Sequence, residues 1–348
     1  MPITTGSALL KTLLHEGIFL MRDFHLPGRS TVLASNGMCA TSHPLATTAA
    51  IDVLKKGGNA VDASVAVGFA LAVTLPRAGN LGGGGFILIY DNETDKISAI
   101  DYRSAAPKSS TSKMFLEGDN VVKFGHLVNA VPGSVAGLLK AHEVHGSLPL
   151  SILLKPAIRL AKNGFEVTHD LNFVLTWGAE SLLKNQVSKE KFYDKSEEAV
   201  SVKSLFKQPI LAKTLFMISK KGNEVFYDGE IANWISSESL SNGGLITLDD
   251  LASYEAKFRT PIEIDYRGYR IVSMPPAASG GLVLLQTLNI LENFNLRASG
   301  HNSAETIHIL SEAMQRAFAD RAEYHGDPDF YDVPVSYTHL TLPTNREV

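Results

Sequence analysis

The sequence predicts an α+β chain in which short hairpins are covered by helices within one layered domain. Three observations carry this reading. Two hairpin patterns, at 86–102 and at 262–273, lie between stretches of helical periodicity. The segment 60–75 is apolar nearly all round, the mark of a helix buried on several sides. No internal repeat and no low-complexity linker divides the chain, so no internal domain boundary is drawn.

Order is expected from about Val32. Ser42-His43-Pro44 is a helix-start signal, because a proline in the first turn lacks only an N–H that would have no intrahelical partner. Ala46, Ala49, Ala50, Val53 and Leu54 follow at helical spacing, and Gly57-Gly58 stops the helix. Asn59 caps the next helix, with Asp62 favouring its positive end. The run Gly82-Gly83-Gly84-Gly85 then leads into a strand at 86–90, a turn at Asp91-Asn92 and a return strand at 96–102. Helices are predicted at 133–145, 150–163, 209–220, 228–238 and 248–256. A second hairpin turns at Arg267-Gly268, and helices at 279–294 and 302–324 follow. In the last of these Ile307, Leu310, Met314 and Phe318 form a single apolar stripe.

The composition excludes several classes of function. The chain has 348 residues, 45% hydrophobic and 20% charged, which is ordinary for a globular protein. A net charge of −4 argues against a general nucleic-acid binder. Cys39 is the only cysteine, so neither an intrachain disulfide nor a cysteine zinc cluster can form. No apolar run reaches the roughly 18 residues of a membrane-spanning helix. The 8–21 segment is interrupted by Lys11, His15 and Glu16, lacks a basic start and makes a poor export signal, and Met21 is a candidate second start.

Few residues outside these elements point to chemistry. The glycine run lacks the Lys-Ser/Thr of a phosphate loop and precedes its strand where a dinucleotide fingerprint would follow one. Its expected role is structural, letting the backbone pass close to its neighbours. Arg103 ends the second strand of the first hairpin, and its planar fork suits a carboxylate, although position alone favours a surface salt bridge. His142 and His145 are three apart rather than one helical turn as in the zinc-protease motif, and are expected on a solvated helix face. Ser279, after Pro275-Pro276, is expected to cap the following helix rather than to act as a nucleophile.

These segments occur in an order that resembles the γ-glutamyltranspeptidases, or glutathione hydrolases. The resemblance rests on Ser42-His43-Pro44-Leu45-Ala46, on 57–63, and on Gly79-Asn80-Leu81 with the four glycines and Phe86. It continues through Asp101-Tyr102-Arg103, Ala106-Pro107, Val131-Pro132-Gly133, Pro275-Pro276 with Ser279-Gly280-Gly281, Ala313-Met314, Ala319-Asp320-Arg321 and Gly326-Asp327. It covers about 32–335 and implies an N-terminal-nucleophile hydrolase, an αββα sandwich of which this chain is the large-subunit part.

The resemblance further implies a proenzyme that cleaves itself into a large and a small subunit. The small subunit's new N-terminal threonine attacks the γ-glutamyl amide of glutathione and related compounds. The acyl group then passes to water, amino acids or peptides. A threonine hydroxyl needs a base, and its own α-amine, with an ordinary pKa of about 7.7–8, can serve. Neither a metal nor an organic cofactor is implied. By position Arg103 matches the family arginine that binds the glutamate α-carboxylate.

The family nucleophile lies in a Thr-Thr-His-x-Ser/Thr segment well beyond the last predicted helix. The resemblance is expected to stop at Val335, with 336–348 an unmatched, non-native ending in which Thr338-His339-Leu340-Thr341 only mimics the motif. On this reading 1–31 is poorly ordered, 32–335 is the large-subunit region, the chain has no catalytic threonine and is inactive alone, and its unpaired strand edges make it fold poorly. The rival readings are a related β-lactam or glutaryl acylase or capsule transpeptidase, and a non-catalytic orphan large subunit. The family resemblance favours a periplasmic or secreted location, which the N-terminus itself does not support.

Overall fold

The computed structural model describes residues 32–334 apart from 115, 118, 119, 122 and 123. The expectations for 1–31 and 336–348 lie outside the described residues. Residues 32–38 carry no regular element and belong to a separate unit; the elements below all fall in the unit that begins at Cys39.

Helix α1 (Pro44–Leu54) starts at the proline, with His43 as its cap: the Leu45 N–H donates to His43 Nδ1 at 3.2 Å. Gly57 takes a φ of +87°, which releases the chain after the helix as expected. Helix α2 (Ala60–Thr74) opens on a complete capping box, since the Asp62 N–H donates to Asn59 Oδ1 (2.9 Å) and the Asn59 N–H donates back to Asp62 Oδ2 (3.0 Å). Its side chains Val65, Ala66, Phe69, Ala70 and Val73 are all fully buried, so the all-round apolarity means what the sequence suggested. The helix is the centre of the main core and packs against α1 and three helices that follow it.

Asp62 does more than cap. Fully buried, it also accepts the Ser147 N–H (3.0 Å), the Ser147 hydroxyl (2.5 Å) and the Leu148 N–H (3.3 Å), which ties the start of α2 to a loop 85 residues away. Burial alone would raise its pKa; the bonds from Ser147, Asn59 and Leu148 outweigh that and hold the carboxyl below its ordinary range. A folded pKa below the unfolded value of about 3.9 contributes stability at neutral pH that is lost as the pH falls through the folded value. Asp62→Ala is therefore expected to cost about 3 kcal/mol at pH 7, because several buried donors lose their acceptor. Urea unfolding of both forms checks this: the gap should narrow below about pH 4, and a gap unchanged down to pH 3 would refute the assignment.

Strands β1 (Phe86–Asp91) and β2 (Lys96–Asp101) form the first hairpin, with Phe86 opposite Asp101. The short pair β3 (Leu116–Glu117) and β4 (Asn120–Val121) follows. Then come α3 (Ser134–His145), α4 (Leu150–Leu153) and α5 (Lys155–Asn163). The predicted 150–163 helix is thus two, because Pro156 cannot donate back into the preceding turn.

The next stretch holds elements with no counterpart in the sequence reading: β5 (Phe165–Glu166), α6 (His169–Trp177), α7 (Ala179–Leu182), α8 (Gln186–Phe192) and β6 (Leu205–Phe206). Helix α9 (Pro209–Tyr227) continues beyond the expected 220 across a break at Gly222, and α10 (Glu230–Ser241) follows. Helix α11 (Leu248–Ala252) is shorter than predicted, since the chain turns out of it toward strand β7 (Lys257–Arg259).

β7 adds to the first hairpin, giving a three-stranded antiparallel sheet in the order β1-β2-β7 with Asp101 opposite Lys257. β8 (Ile262–Tyr266) and β9 (Tyr269–Ser273) make the second hairpin. Both of its turn residues have positive φ, Arg267 at 51° and Gly268 at 82°, as a tight two-residue hairpin requires.

Helix α12 (Ser279–Leu291) is followed by α13 (Leu296–Ser299) and α14 (Ala304–Tyr324), and α12 packs against both the second hairpin and α14. One expectation is corrected here. Ser279 is not the cap: Ala278 holds that position, delivered in extended backbone by a turn in which its N–H donates to the Pro275 carbonyl (3.1 Å), so Ser279 already lies in the first helical turn. The apolar stripe of α14 is only partly covered, with Leu310 half-buried. Thr306, Ala313 and Ala317 are the buried positions, while Ile307, Met314 and Phe318 stay 52%, 46% and 47% exposed. Small alanines let the two helices approach, which leaves the bulkier side chains on the other face. Among the described residues no helix is long and apolar enough to cross a membrane.

Candidate functional site

Asp101 ends the central strand β2, Tyr102 keeps the backbone pairing to Gly85 (3.0 and 3.2 Å), and Asp101 and Arg103 line a cleft of about 450 Å³. Arg103 lines this cleft with Lys108, Asp250, Tyr254, Arg259 and Asp327, among others. Three bonds fix it. Its backbone N–H donates to Asp101 Oδ1 (3.1 Å), its carbonyl accepts the Tyr254 hydroxyl (2.8 Å), and its Nη1 donates to the Ala277 carbonyl (3.0 Å).

The glycine run supplies the wall behind Arg103. A Cβ on Gly84 would stand 2.4 Å from the Ser104 nitrogen and 2.6 Å from the Tyr102 oxygen, both backbone atoms. The Gly83 carbonyl accepts the N–H groups of Gly133 (2.8 Å) and Ser134 (2.9 Å), which closes the start of α3 against the same loop. On the far side Gly137 of α3 leaves the space that the Tyr102 ring fills, a Cβ there falling 2.0 Å from the ring. The glycine cluster thus acts structurally at Gly84, but not at Gly82, where a Cβ would meet nothing closer than 3.4 Å.

Tyr254 stacks on Tyr227 (5.6 Å between centroids, 11° between planes), and Tyr227 donates to the Pro132 carbonyl at 2.8 Å. Burial, with the Asp101 charge adding to it, pushes the Tyr254 phenol well above its ordinary range, so it remains a donor to Arg103.

Among the cations that line the cleft, Arg103 alone has no ion-pair partner among the described residues. Arg259 forms a fork with Asp329 (2.8 Å on each arm) and reaches Asp101 Oδ2 at 3.3 Å. Lys257 also donates to Asp329 (2.8 Å). These bonds from Arg259 and Lys257 hold the Asp329 carboxyl far below its usual range. Lys108 pairs with Asp249 at 2.6 Å. Among the described residues no carboxylate lies within ion-pair distance of Arg103. The surface salt bridge that position alone favoured is therefore not formed, and the exposed guanidinium is available to an anion.

The structure brings most of the singled-out segments to this place: the glycine run, 101–107, 131–133, the Pro275-Pro276 turn and Asp327. It does not bring the 42–46 and 57–63 segments here; they begin the two core helices. His142 and His145 are half-buried rather than solvated, and His142 Nε2 donates to the Leu148 carbonyl at 2.7 Å. Tyr254, Arg259 and Asp329 went unremarked in the sequence, where each stands some 150 residues or more from the Asp101-Tyr102-Arg103 segment it supports. Nothing local marks such partners.

The profile of the gamma-glutamyltranspeptidase family matches residues 46–346, a span that runs into the segment where the resemblance was expected to stop. The glutathione hydrolase proenzyme of Escherichia coli K12 is 48% identical over 309 residues, 87% of this chain and 53% of that protein. The gamma-glutamyltranspeptidase structure from Helicobacter pylori aligns with a TM-score of 0.85 at 44% identity, covering 88% of this chain and 89% of that one. The Acylase ACY 1 proenzyme of Pseudomonas sp. V22 is 37% identical over 87% of this chain and 56% of its own length. The chain spans about half the length of the curated relatives it matches. The solved relatives share the N-terminal-nucleophile hydrolase framework, with which the mixed helix and sheet architecture agrees.

Proposed function

Because this chain belongs to the gamma-glutamyltranspeptidase family, we propose that the whole protein is a γ-glutamyltransferase and glutathione hydrolase in which Arg103 receives the α-carboxylate of the donor. The observation that carries the reading is Arg103 itself, its backbone held at two points and its guanidinium at one, in a cleft whose other lining cations are all paired. A carboxylate seated on its fork would give the guanidinium an ion-pair partner and orient the γ-amide.

The chemical step belongs to a small subunit of the same precursor, which supplies the N-terminal threonine. Its hydroxyl adds to the γ-carbonyl carbon as its proton passes to the α-amine, the C–N bond breaks, and the amine leaves carrying that proton. Water or an acceptor amine then takes the γ-glutamyl group. The residues described here bind and orient the donor; glutathione, other γ-glutamyl compounds and acceptor amino acids or peptides are the substrates.

The second reading is an acylase, favoured by the ACY 1 relative at 37% identity. Kinetics of the whole protein on a γ-glutamyl anilide and on a glutaryl amide of the same amine separate the two. A glutaryl group keeps the terminal carboxylate and lacks only the α-amine, so the transpeptidase reading expects the γ-glutamyl donor to be preferred by at least about 10-fold in kcat/KM, the worth of a hydrogen bond to the charged amine. Equal rates, or preference for the glutaryl amide, would replace it with the acylase reading.

A further inference from the structure

The Ala277 carbonyl that receives the Arg103 guanidinium has a second partner. His325, the residue that caps the C-terminal end of α14, points Nε2 at the same oxygen from 3.2 Å. A carbonyl can only accept, so Nε2 carries the proton, and the two lone pairs of one oxygen are shared between the arginine and the imidazole. Nδ1 is then the bare nitrogen; it is buried and has no hydrogen-bond partner among the described residues.

That arrangement is expensive if the ring serves only to pack. Leaving a buried acceptor unpaired costs free energy that an aliphatic side chain in the same place would not incur. What the imidazole provides in return is the one Nε2–H bond to Ala277 O. Ala277 sits in the irregular turn between β9 and α12, a stretch tied internally by the Ala278 N–H to the Pro275 carbonyl. Without the ring, that carbonyl would be held from the Arg103 side alone.

We infer that His325 is a positioning residue for donor binding: it clamps the Ala277 carbonyl so that Arg103 is presented with its fork directed at the substrate carboxylate. The inference rests on Arg103 being the carboxylate-binding arginine. His325 does not touch substrate; it acts through Ala277 on the orientation of the guanidinium. The C-terminal end of α14, the proline turn and the end of β2 are thereby linked by one shared oxygen.

The test uses the whole processed enzyme, with His325→Leu, His325→Gln and Arg103→Ala assayed on two donors, a γ-glutamyl anilide and the 4-aminobutyryl anilide that lacks the α-carboxylate. Gln places an N–H donor near the position of Nε2; Leu removes it at similar volume. Loss of the clamp should raise KM for the γ-glutamyl donor about five- to tenfold with kcat nearly unchanged, the size of one hydrogen bond. Gln should restore most of the affinity, and the aminobutyryl donor should respond to neither change. A merely structural role would lower the rates on both donors together and shift the melting temperature. That outcome overturns the inference, as does a His325→Leu enzyme unchanged on both donors while Arg103→Ala still discriminates between them. If Arg103→Ala loses equally on both donors, the carboxylate reading itself is wrong, and the inference falls with it.

Discussion

Arg103→Ala is expected to reduce kcat/KM for a γ-glutamyl donor about 100-fold in the whole enzyme, mostly through KM, while leaving the melting temperature close to that of the parent. The size follows from losing a two-pronged, charge-assisted contact to a carboxylate, with hydrogen bonds to charged groups worth about 1.5–3 kcal/mol each. The stability expectation follows from the surroundings. Arg103 is exposed, and its backbone bonds to Asp101 and Tyr254 do not depend on its side chain. Only the Ala277 bond is lost with the guanidinium. Arg103→Lys keeps the charge but not the planar fork, and should recover about a tenth of the parent kcat/KM. Steady-state kinetics on the γ-glutamyl anilide, with a melt as control, decide the matter. A variant that binds the donor as well as the parent would remove Arg103 from the site.

The second large effect concerns a residue that touches no substrate. Gly84→Ala should destabilise the protein by about 3 kcal/mol, the upper range for forcing one extra carbon into a packed region. The atoms in the way are the Ser104 nitrogen at 2.4 Å, the Tyr102 oxygen at 2.6 Å and the Arg103 carbonyl carbon at 2.8 Å, and backbone cannot swing aside as a side chain tip can. Relief must therefore come from moving the segment that carries Arg103, so donor affinity should fall as well. Gly82→Ala is the internal control. Two residues earlier in the same run its Cβ would have 3.4 Å of clearance, and its cost should stay within about 0.5 kcal/mol. Urea unfolding of the two variants reads the contrast directly, and equal stabilities would mean that the run is not packed against Tyr102-Arg103-Ser104.

Much of the fold was legible because it is written in local patterns. Asn59 and Asp62 announce the start of α2 through a box that needs only four consecutive residues, and the all-round apolarity of that helix states its burial. Arg267-Gly268 marks a two-residue turn by its own φ requirements. The helices between 169 and 192 escaped because they run to only nine, four and seven residues, too short to show a sustained period. Ser279 was misplaced by one position because the turn before it, not the serine, decides where the helix begins. The α14 stripe was legible as a stripe, but periodicity reports that apolar residues share a face, not which face meets a neighbour.

By itself the sequence determined the α+β class, the family, and the candidate Arg103, since capping, periodicity and motif order act over short spans of chain. Only the tertiary structure decided what holds Arg103 and leaves it unpaired. Tyr254 is 151 residues from it and Ala277 is 174, and Arg259 is 158 from Asp101. Asp329, a further 70 residues on, neutralises Arg259. Charge balance in a cleft is a sum over groups brought together by folding, and no local stretch of chain contains more than one or two terms of it.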